Sequence, residues 1–264
     1  MDFSTYSAIS FRRDGKVLHA TLNRPDTLNA VDPVMESELG RLFGEVAADA
    51  QSAVLVLTGA GRAFSAGGDI EQMQRVIDNP RLFTDAIPQA KHLIYSMLDC
   101  PKPTIAKVNG PAIGLGATIA LFCDIIFAAK HAKIADPHVK VGFAAGDGGA
   151  VIWPQLIGYA RAKEYLFTGD ALTGEQAAAM GLINHAVTAE ELDKRVDEFA
   201  QRLAAGASRA IQWTKLSVNI GLKQLVATIL DASIAYEALS NGTKDHQEAV
   251  NAFREKRAPR FTGE

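Results

Sequence analysis

The stretch Lys102-Pro103-Thr104-Ile105-Ala106-Lys107-Val108-Asn109-Gly110-Pro111-Ala112-Ile113-Gly114-Leu115-Gly116 passes from a short apolar run through a glycine-bearing turn into a helical pattern. Upstream the same order occurs: Ala53 to Thr58 (AVLVLT) reads as a buried strand, and Gly61-Arg62-Ala63-Phe64-Ser65-Ala66-Gly67-Gly68-Asp69 leads into a helix. Strand, glycine turn and helix, repeated, imply a layered α/β domain. The first residues of a helix carry amide hydrogens with no partner inside it, and the aligned peptide dipoles make that end partially positive. Two loops that each aim one amide at a common point would form an oxyanion hole, which is worth about several kcal/mol in a transition state. Either loop alone reads as ordinary turn geometry; the two together are far more specific.

Working outward, Tyr6 to Phe11 and Lys16 to Leu22 alternate apolar and polar side chains around Asp14-Gly15, the pattern of an opening β-hairpin. Asp32-Pro33 then begins a helix with Val34, Leu39, Leu42, Phe43 and Val46 at helical spacing. Asp124 to Ala129 and Ala132 to Ala135 read as short strands, and Gly146-Asp147-Gly148-Gly149 enters a helix that Pro154 is expected to interrupt. After about Thr168 helical periodicity dominates, in Thr173 to Met180, Ala189 to Ala205, Arg209 to Ile220, Lys223 to Asn241 and Asp245 to Lys256. The division this suggests is an α/β core over residues 1–200 and a helical region over 201–264, packed on the core or on a neighbouring subunit.

The 264 residues are 48% hydrophobic, ample for a buried core, and 27 Lys plus Arg against 30 Asp plus Glu leave a net charge of -3. That balance argues against nucleic-acid binding. Cys100 and Cys123 belong to no closely spaced ligand pair, the N-terminal stretch lacks the pattern of a signal peptide, and no run is read as a membrane span, so a cytoplasmic protein is expected. His131, His185 and His246 lack metal-ligand spacing, and no P-loop or Ser-His-Asp order emerges, so no metal is expected.

Taken together, the blocks Leu22-Asn23-Arg24-Pro25, Leu28-Asn29-Ala30, Leu57-Thr58-Gly59, Ala63 to Ile70, Lys102 to Gly110, Cys123 to Ile126, Leu166 to Gly169, Ala177 to Leu182 and Ala252 to Arg257 resemble the crotonase (enoyl-CoA hydratase/isomerase) superfamily over nearly the whole chain. The resemblance implies a spiral of repeated ββα units with a C-terminal helical trimerisation region, and a homotrimer or dimer of trimers. It implies an acyl-CoA substrate, with coenzyme A as part of that substrate and no separate cofactor. The amides of Ala66 and Leu115 would form the oxyanion hole. Arg24, Leu28 and Ala30 match the segment along the CoA moiety, and Ala63, Gly67, Gly68, Asp69, Ile70, Gly114 and Thr118 belong to the substrate-facing segments. Asp69 is also a natural cap for the helix that follows it. Lys256 lies in a basic C-terminal block that could reach CoA phosphates or simply be solvated.

The chain departs from its family where acid–base chemistry is expected. Hydratases of this type use two glutamates; the matching positions here hold Thr118 and His138. Threonine cannot act as a carboxylate base, whereas an imidazole titrates close to neutrality. Asp147, set between glycines at a helix entrance, is either a cap or the acid–base group that related isomerases, dehalogenases and carbon–carbon hydrolases place there. His138, Asp147 and Glu237 also resemble the histidine, aspartate and glutamate of the β-diketone hydrolase branch, but Leu115 stands where that branch has a histidine. Trp153 and Phe143 read either as acyl-pocket walls or as core. The leading expectation is an enoyl-CoA hydratase/isomerase-type lyase in which Asp147 and His138 replace the glutamate pair and Glu237 is an optional third member. The alternatives are hydrolytic carbon–carbon cleavage of a β-dicarbonyl compound and a non-catalytic relative that binds acyl-CoA or RNA.

Overall fold

The computed structural model describes residues 1–264. In chain order it comprises β1 (Ile9–Asp14), β2 (Val17–Leu22), α1 (Pro33–Ala48), β3 (Val54–Gly59), α2 (Ile70–Asp78), α3 (Arg81–Asp99), β4 (Thr104–Val108), β5 (Ala112–Ile113), α4 (Leu115–Leu121), β6 (Ile125–Ala129) and β7 (Lys133–Ala135). Then follow α5 (Gly149–Ile157), α6 (Tyr159–Thr168), β8 (Leu172–Thr173), α7 (Gly174–Met180), β9 (His185–Val187), α8 (Ala189–Ala204), α9 (Ser208–Asn241) and α10 (Lys244–Arg254).

Six strands form the main sheet in the order β1-β2-β3-β4-β6-β9, and β5-β7-β8 form a small second sheet. Only the β1–β2 hairpin of the main sheet is antiparallel; every later pair runs parallel. Parallel strands are buried on both faces, which is why β3 reads as an unbroken apolar run and every one of its residues is buried. The hairpin register pairs Asp14 with Val17, so the turn itself is Gly15-Lys16, with Gly15 at φ +56°. Asp32 caps α1 by accepting the Met35 amide, and Leu39, Leu42, Phe43 and Val46 enter the core while Val34 points out to solvent.

Three expectations shift. Pro154 lies within α5, and the break to α6 comes at Gly158, whose φ of +78° suits glycine. Second, Arg209 to Ile220 and Lys223 to Asn241 are one continuous helix, α9, because Gly221 and Leu222 keep helical geometry. Third, α9 is 34 residues long and contains an 18-residue stretch of mean hydropathy 1.2, long and apolar enough to cross a membrane by length and composition, contrary to the reading of separate segments. Its inner face nevertheless buries Lys215, Asn219, Ser233, Glu237 and Asn241. The core matches the first two: the Lys215 ammonium donates to the Lys102 carbonyl at 2.9 Å and pairs with Asp124 at 2.7 Å, and Asn219 donates to the Leu98 carbonyl at 3.0 Å. The boundary expected at residue 200 falls inside α8, which runs on to Ala204.

Candidate active site

The loops that follow β3 and β4 leave the carboxyl ends of adjacent parallel strands, the usual place for a ligand in an open α/β sheet. They are laced together before any side chain is considered. Ser65 and Ala112 form a parallel bridge, the Phe64 and Ser65 amides both donate to the Pro111 carbonyl at 3.0 Å, and the Ile113 amide returns to Ser65 O at 3.0 Å. The close approach demands glycine at position 67, where φ is +84° and an added β-carbon would fall 2.5 Å from Ile113 O and 3.5 Å from the Leu115 amide nitrogen. Asn29 clamps the first loop from the other side, donating to the carbonyls of Ala60 and Ala63 at 2.9 Å each, while the buried Ser65 hydroxyl donates to Asn29 O at 2.8 Å.

This lacing corrects one expected role. The Ala66 amide donates to Leu28 O at 2.9 Å, so it is already spent and cannot hold a ligand oxygen. The Gly67 amide donates to the Ser65 hydroxyl at 3.2 Å, whereas those of Gly68, which is exposed, and of Asp69 after it have no acceptor. In the second loop the Gly114 amide donates to Ala135 O, and the Leu115 amide, first in α4, has no acceptor. Asp69 accepts the amides of Glu71 at 2.9 Å and Gln72 at 3.4 Å as the cap of α2, with Ile70 the first helical residue beside it. Leu28 takes a left-handed conformation, and Arg24 spans the turn by bonding Ala30 O and pairing with Asp32 at 3.2 Å. Ala30 and Ala63 are buried, so they shape the loops from beneath. Lys256 is exposed just past α10, whose Arg254 pairs with Glu71 of α2. Trp153 and Phe143 are core, Phe143 stacking on the His246 ring at 3.8 Å.

Next to this pair of loops lies a buried cluster drawn from three further segments. His138 follows β7, its ring carbon Cε1 standing 3.7 Å from the place of a β-carbon on Gly114. Asp147 enters α5, where its Oδ1 accepts the Thr118 hydroxyl at 3.0 Å and the Gly149 amide at 3.3 Å. Its Oδ2 faces His138 Nε2 at 3.5 Å, an ion-pair separation rather than a short hydrogen bond. Thr118, expected to face substrate, is instead fully buried and holds the Asp147 carboxylate. Glu237 reaches the cluster from α9 because position 146 is glycine: an added β-carbon there would fall 2.4 Å from Ser233 O and 2.6 Å from Glu237 Oε2. The Ser233 hydroxyl donates to Gly146 O at 3.0 Å and pins helix to loop. A fourth member carried no role in the sequence reading: Asp136, only 1% exposed, accepts from His138 Nδ1. The signal for it was the tight Asp136-Pro137-His138 turn, which folds the carboxylate back on the ring two residues later.

The electrostatics follow from burial and like charge. Burial pushes Asp147 up against the opposing pull of His138, and pushes Glu237 up to about 8, the neighbouring carboxylates adding to both. Burial also opposes a charge on His138, but the Asp136 and Asp147 carboxylates, with Glu237 behind them, hold it well above the usual imidazole value. The site can therefore hold an imidazolium against one carboxylate while a second carboxyl keeps its proton near neutrality. Asp136, His138 and Asp147 offer ligand atoms within 4.8 Å of one another.

Comparison with known proteins shows the family. A family model described as enoyl-CoA hydratase/isomerase matches residues 12–264. The chain is 35% identical to a 1,2-epoxyphenylacetyl-CoA isomerase of Escherichia coli over 94% of its own length and 95% of the relative's. It is 32% identical to a short-chain-enoyl-CoA hydratase of Clostridium acetobutylicum over 94% and 95% respectively. A crystal structure of an enoyl-CoA hydratase/isomerase from Mycobacterium paratuberculosis superposes with a TM-score of 0.88 at 36% identity, covering 92% of this chain and 97% of that one. With strand order, glycine loops and full-length similarity in agreement, the chain belongs to the enoyl-CoA hydratase/isomerase family of the crotonase superfamily.

Proposed function

We propose that the protein takes an α,β-unsaturated or otherwise activated acyl-CoA through a thioester enolate, with the Gly68 and Leu115 amides on the carbonyl oxygen and Asp147 with His138 moving the proton. The observation that carries this reading is the His138 ring packed against Gly114, one residue from the unpartnered Leu115 amide. The carbon that gains or loses a proton is bonded to the thioester carbonyl carbon, so its acid–base group must stand next to the oxygen-holding amides, as this cluster does. Glu237, neutral near pH 7, is suited to deliver a proton to carbon or to an oxygen leaving it. Both named relatives act, by their names, on CoA thioesters, which supports the substrate class. Arg24 and Lys256 are the basic side chains proposed to meet the CoA phosphates. The exposed Trp213, Val218, Ile220 and Leu239 along α9 suit packing against further copies, in a homotrimer or dimer of trimers.

The test is a panel of linear, branched, cyclic and aromatic enoyl- and β-ketoacyl-CoAs incubated in D2O, with product masses recorded. Deuterium gained at the α-carbon supports the enolate. Addition of one water identifies hydration, an unchanged heavy-atom formula identifies isomerisation, and release of a new carboxylic acid identifies carbon–carbon hydrolysis. Tight binding with neither turnover nor exchange across the panel overturns the catalytic reading.

A further inference from the structure

We infer that Asp136 is a positioning residue, which binds His138 through Nδ1 and thereby turns Nε2 towards Asp147 in a single geometry; this rests on the enolate reading above.

Four observations carry it. Asp136 sits at the end of β7 and is 1% exposed, so its carboxylate has no solvent partner. One oxygen accepts from His138 Nδ1, which leaves Nε2 as the only ring nitrogen able to face Asp147, and Nε2 lies 3.5 Å from Asp147 Oδ2. The other Asp136 oxygen has no hydrogen-bond partner and fills the space over Gly149, where a β-carbon would fall 1.9 Å away. Finally, Gly149 opens α5 and its amide donates to Asp147 Oδ1, so one helix entrance sets the height of both carboxylates on either side of the ring. An unpaired buried carboxylate oxygen is costly to keep, about 1–3 kcal/mol or more, and its retention beside a titrating ring is intelligible if it fixes that ring. The groups that face His138 are Asp136, Asp147 and Glu237, and of these only Asp136 contacts Nδ1.

The test uses the full chain labelled with 15N-histidine, the His138 signals being assigned by their loss in His138→Gln. In the unaltered protein, Nδ1 is expected to carry a hydrogen throughout the pH range of activity, with a downfield proton resonance from the bond to Asp136. In Asp136→Asn that resonance disappears and kcat falls by about 10²- to 10⁴-fold with KM little changed, because an amide can donate to Nδ1 and hold the ring in the other tautomer. The pH limb governed by His138 also moves to lower pH by about one unit or more, since a carboxylate favouring the imidazolium is gone. A purely structural Asp136 would lower stability without moving the tautomer or the limb. Hydrogen on Nε2 alone in the unaltered protein overturns the role even if the variant does not fold, as does an Asp136→Asn protein with tautomer and limb unchanged. If no acyl-CoA is turned over while the Asp136-dependent resonance is seen, the reaction is misread and the positioning role stands.

Discussion

The two halves of the site are built from different materials. On the side proposed to hold the carbonyl oxygen the working groups are main-chain amides, fixed by bridges between residues 65 and 112 and by bonds to residues 28, 29 and 111, with one exposed glycine at the mouth. On the side proposed to move the proton they are four ionisable side chains from β7's end, α5's entrance and α9, three of them buried and Asp147 largely so. The first half carries no ionisable group: its geometry rests on glycine where backbones touch and on the neutral side chains of Asn29 and Ser65. The second half has no such insurance: its chemistry changes with each charge, and a single carboxylate alters the proton affinity of the others. A family can therefore keep the first half and rewrite the second, and the proposed reading makes Thr118 and His138, where glutamates are expected, such a rewriting.

The strongest way to break this contrast is Asp147→Asn. The amide keeps the bond from Thr118 and the shape of the α5 entrance, yet removes the proposed base. A kcat loss of about 10²- to 10⁴-fold on the best substrate of the panel is expected, with little change in melting temperature. Unchanged turnover would remove Asp147 from the chemistry and leave it as a helix cap.

Gly67→Ala attacks the other half. The new methyl meets Ile113 O at 2.5 Å in a backbone region that L-residues avoid, so the two loops must part. Loss of one oxyanion donor costs about 10²- to 10³-fold in kcat. Saturated acyl-CoA analogues should still bind while α-deuterium exchange falls with kcat, a pattern measurable by calorimetry alongside mass spectrometry.

What could be read from sequence divides along the same line. The strand–glycine–helix repeats place both loops correctly because a backbone device leaves a residue-type signature: glycine is required wherever main chains approach. Which amide stays free was less legible, since Ala66 and Gly68 differ only in which amide the turn spends on Leu28, a tertiary bond to a left-handed residue. On the other side, His138, Asp147 and Glu237 could be named from family positions, and the structure gathers them. Asp136 could not, because a carboxylate two residues before a histidine is common, and only the φ -91°, ψ 25° turn at Pro137 aims it at the ring. Continuity of α9 was hidden by Gly221, which weakens a helix by about 1 kcal/mol without ending it when the flanks are packed.

Glu237→Gln sharpens the comparison through pH. The folded-state value of about 8 lies above the ordinary 4.5 because burial favours the neutral carboxyl. A group raised in this way gives stability that is complete below its unfolded value and is lost as pH rises through its folded value. Glutamine cannot ionise, so the unaltered protein should lose melting temperature relative to Glu237→Gln as pH climbs from about 4.5 to about 8, and the gap should then level. Where Glu237 supplies a proton, the fall of kcat above about pH 8 disappears in the variant, with kcat lowered by about 10-fold or more. A pH-independent difference in melting temperature would show that the buried carboxyl is not the titrating group.

The smallest effect is expected at Asp69, next to the exposed Gly68 yet outside both halves. Its carboxylate accepts two amides at the start of α2, at 2.9 and 3.4 Å, and touches none of the His138 cluster by hydrogen bond or ion pair. Asp69→Ala removes a cap, worth about 0.5–2 kcal/mol, from a helix that buries none of its nine residues fully. Because the Gly67 backbone is held by the Ser65 hydroxyl and the Val31 amide, the loss should appear as local fraying of α2 in hydrogen exchange, with kcat changed less than about threefold. A kcat drop as deep as that of Gly67→Ala would mean that the acidic side chain itself meets the substrate, and the division between a main-chain half and a side-chain half would have to be redrawn.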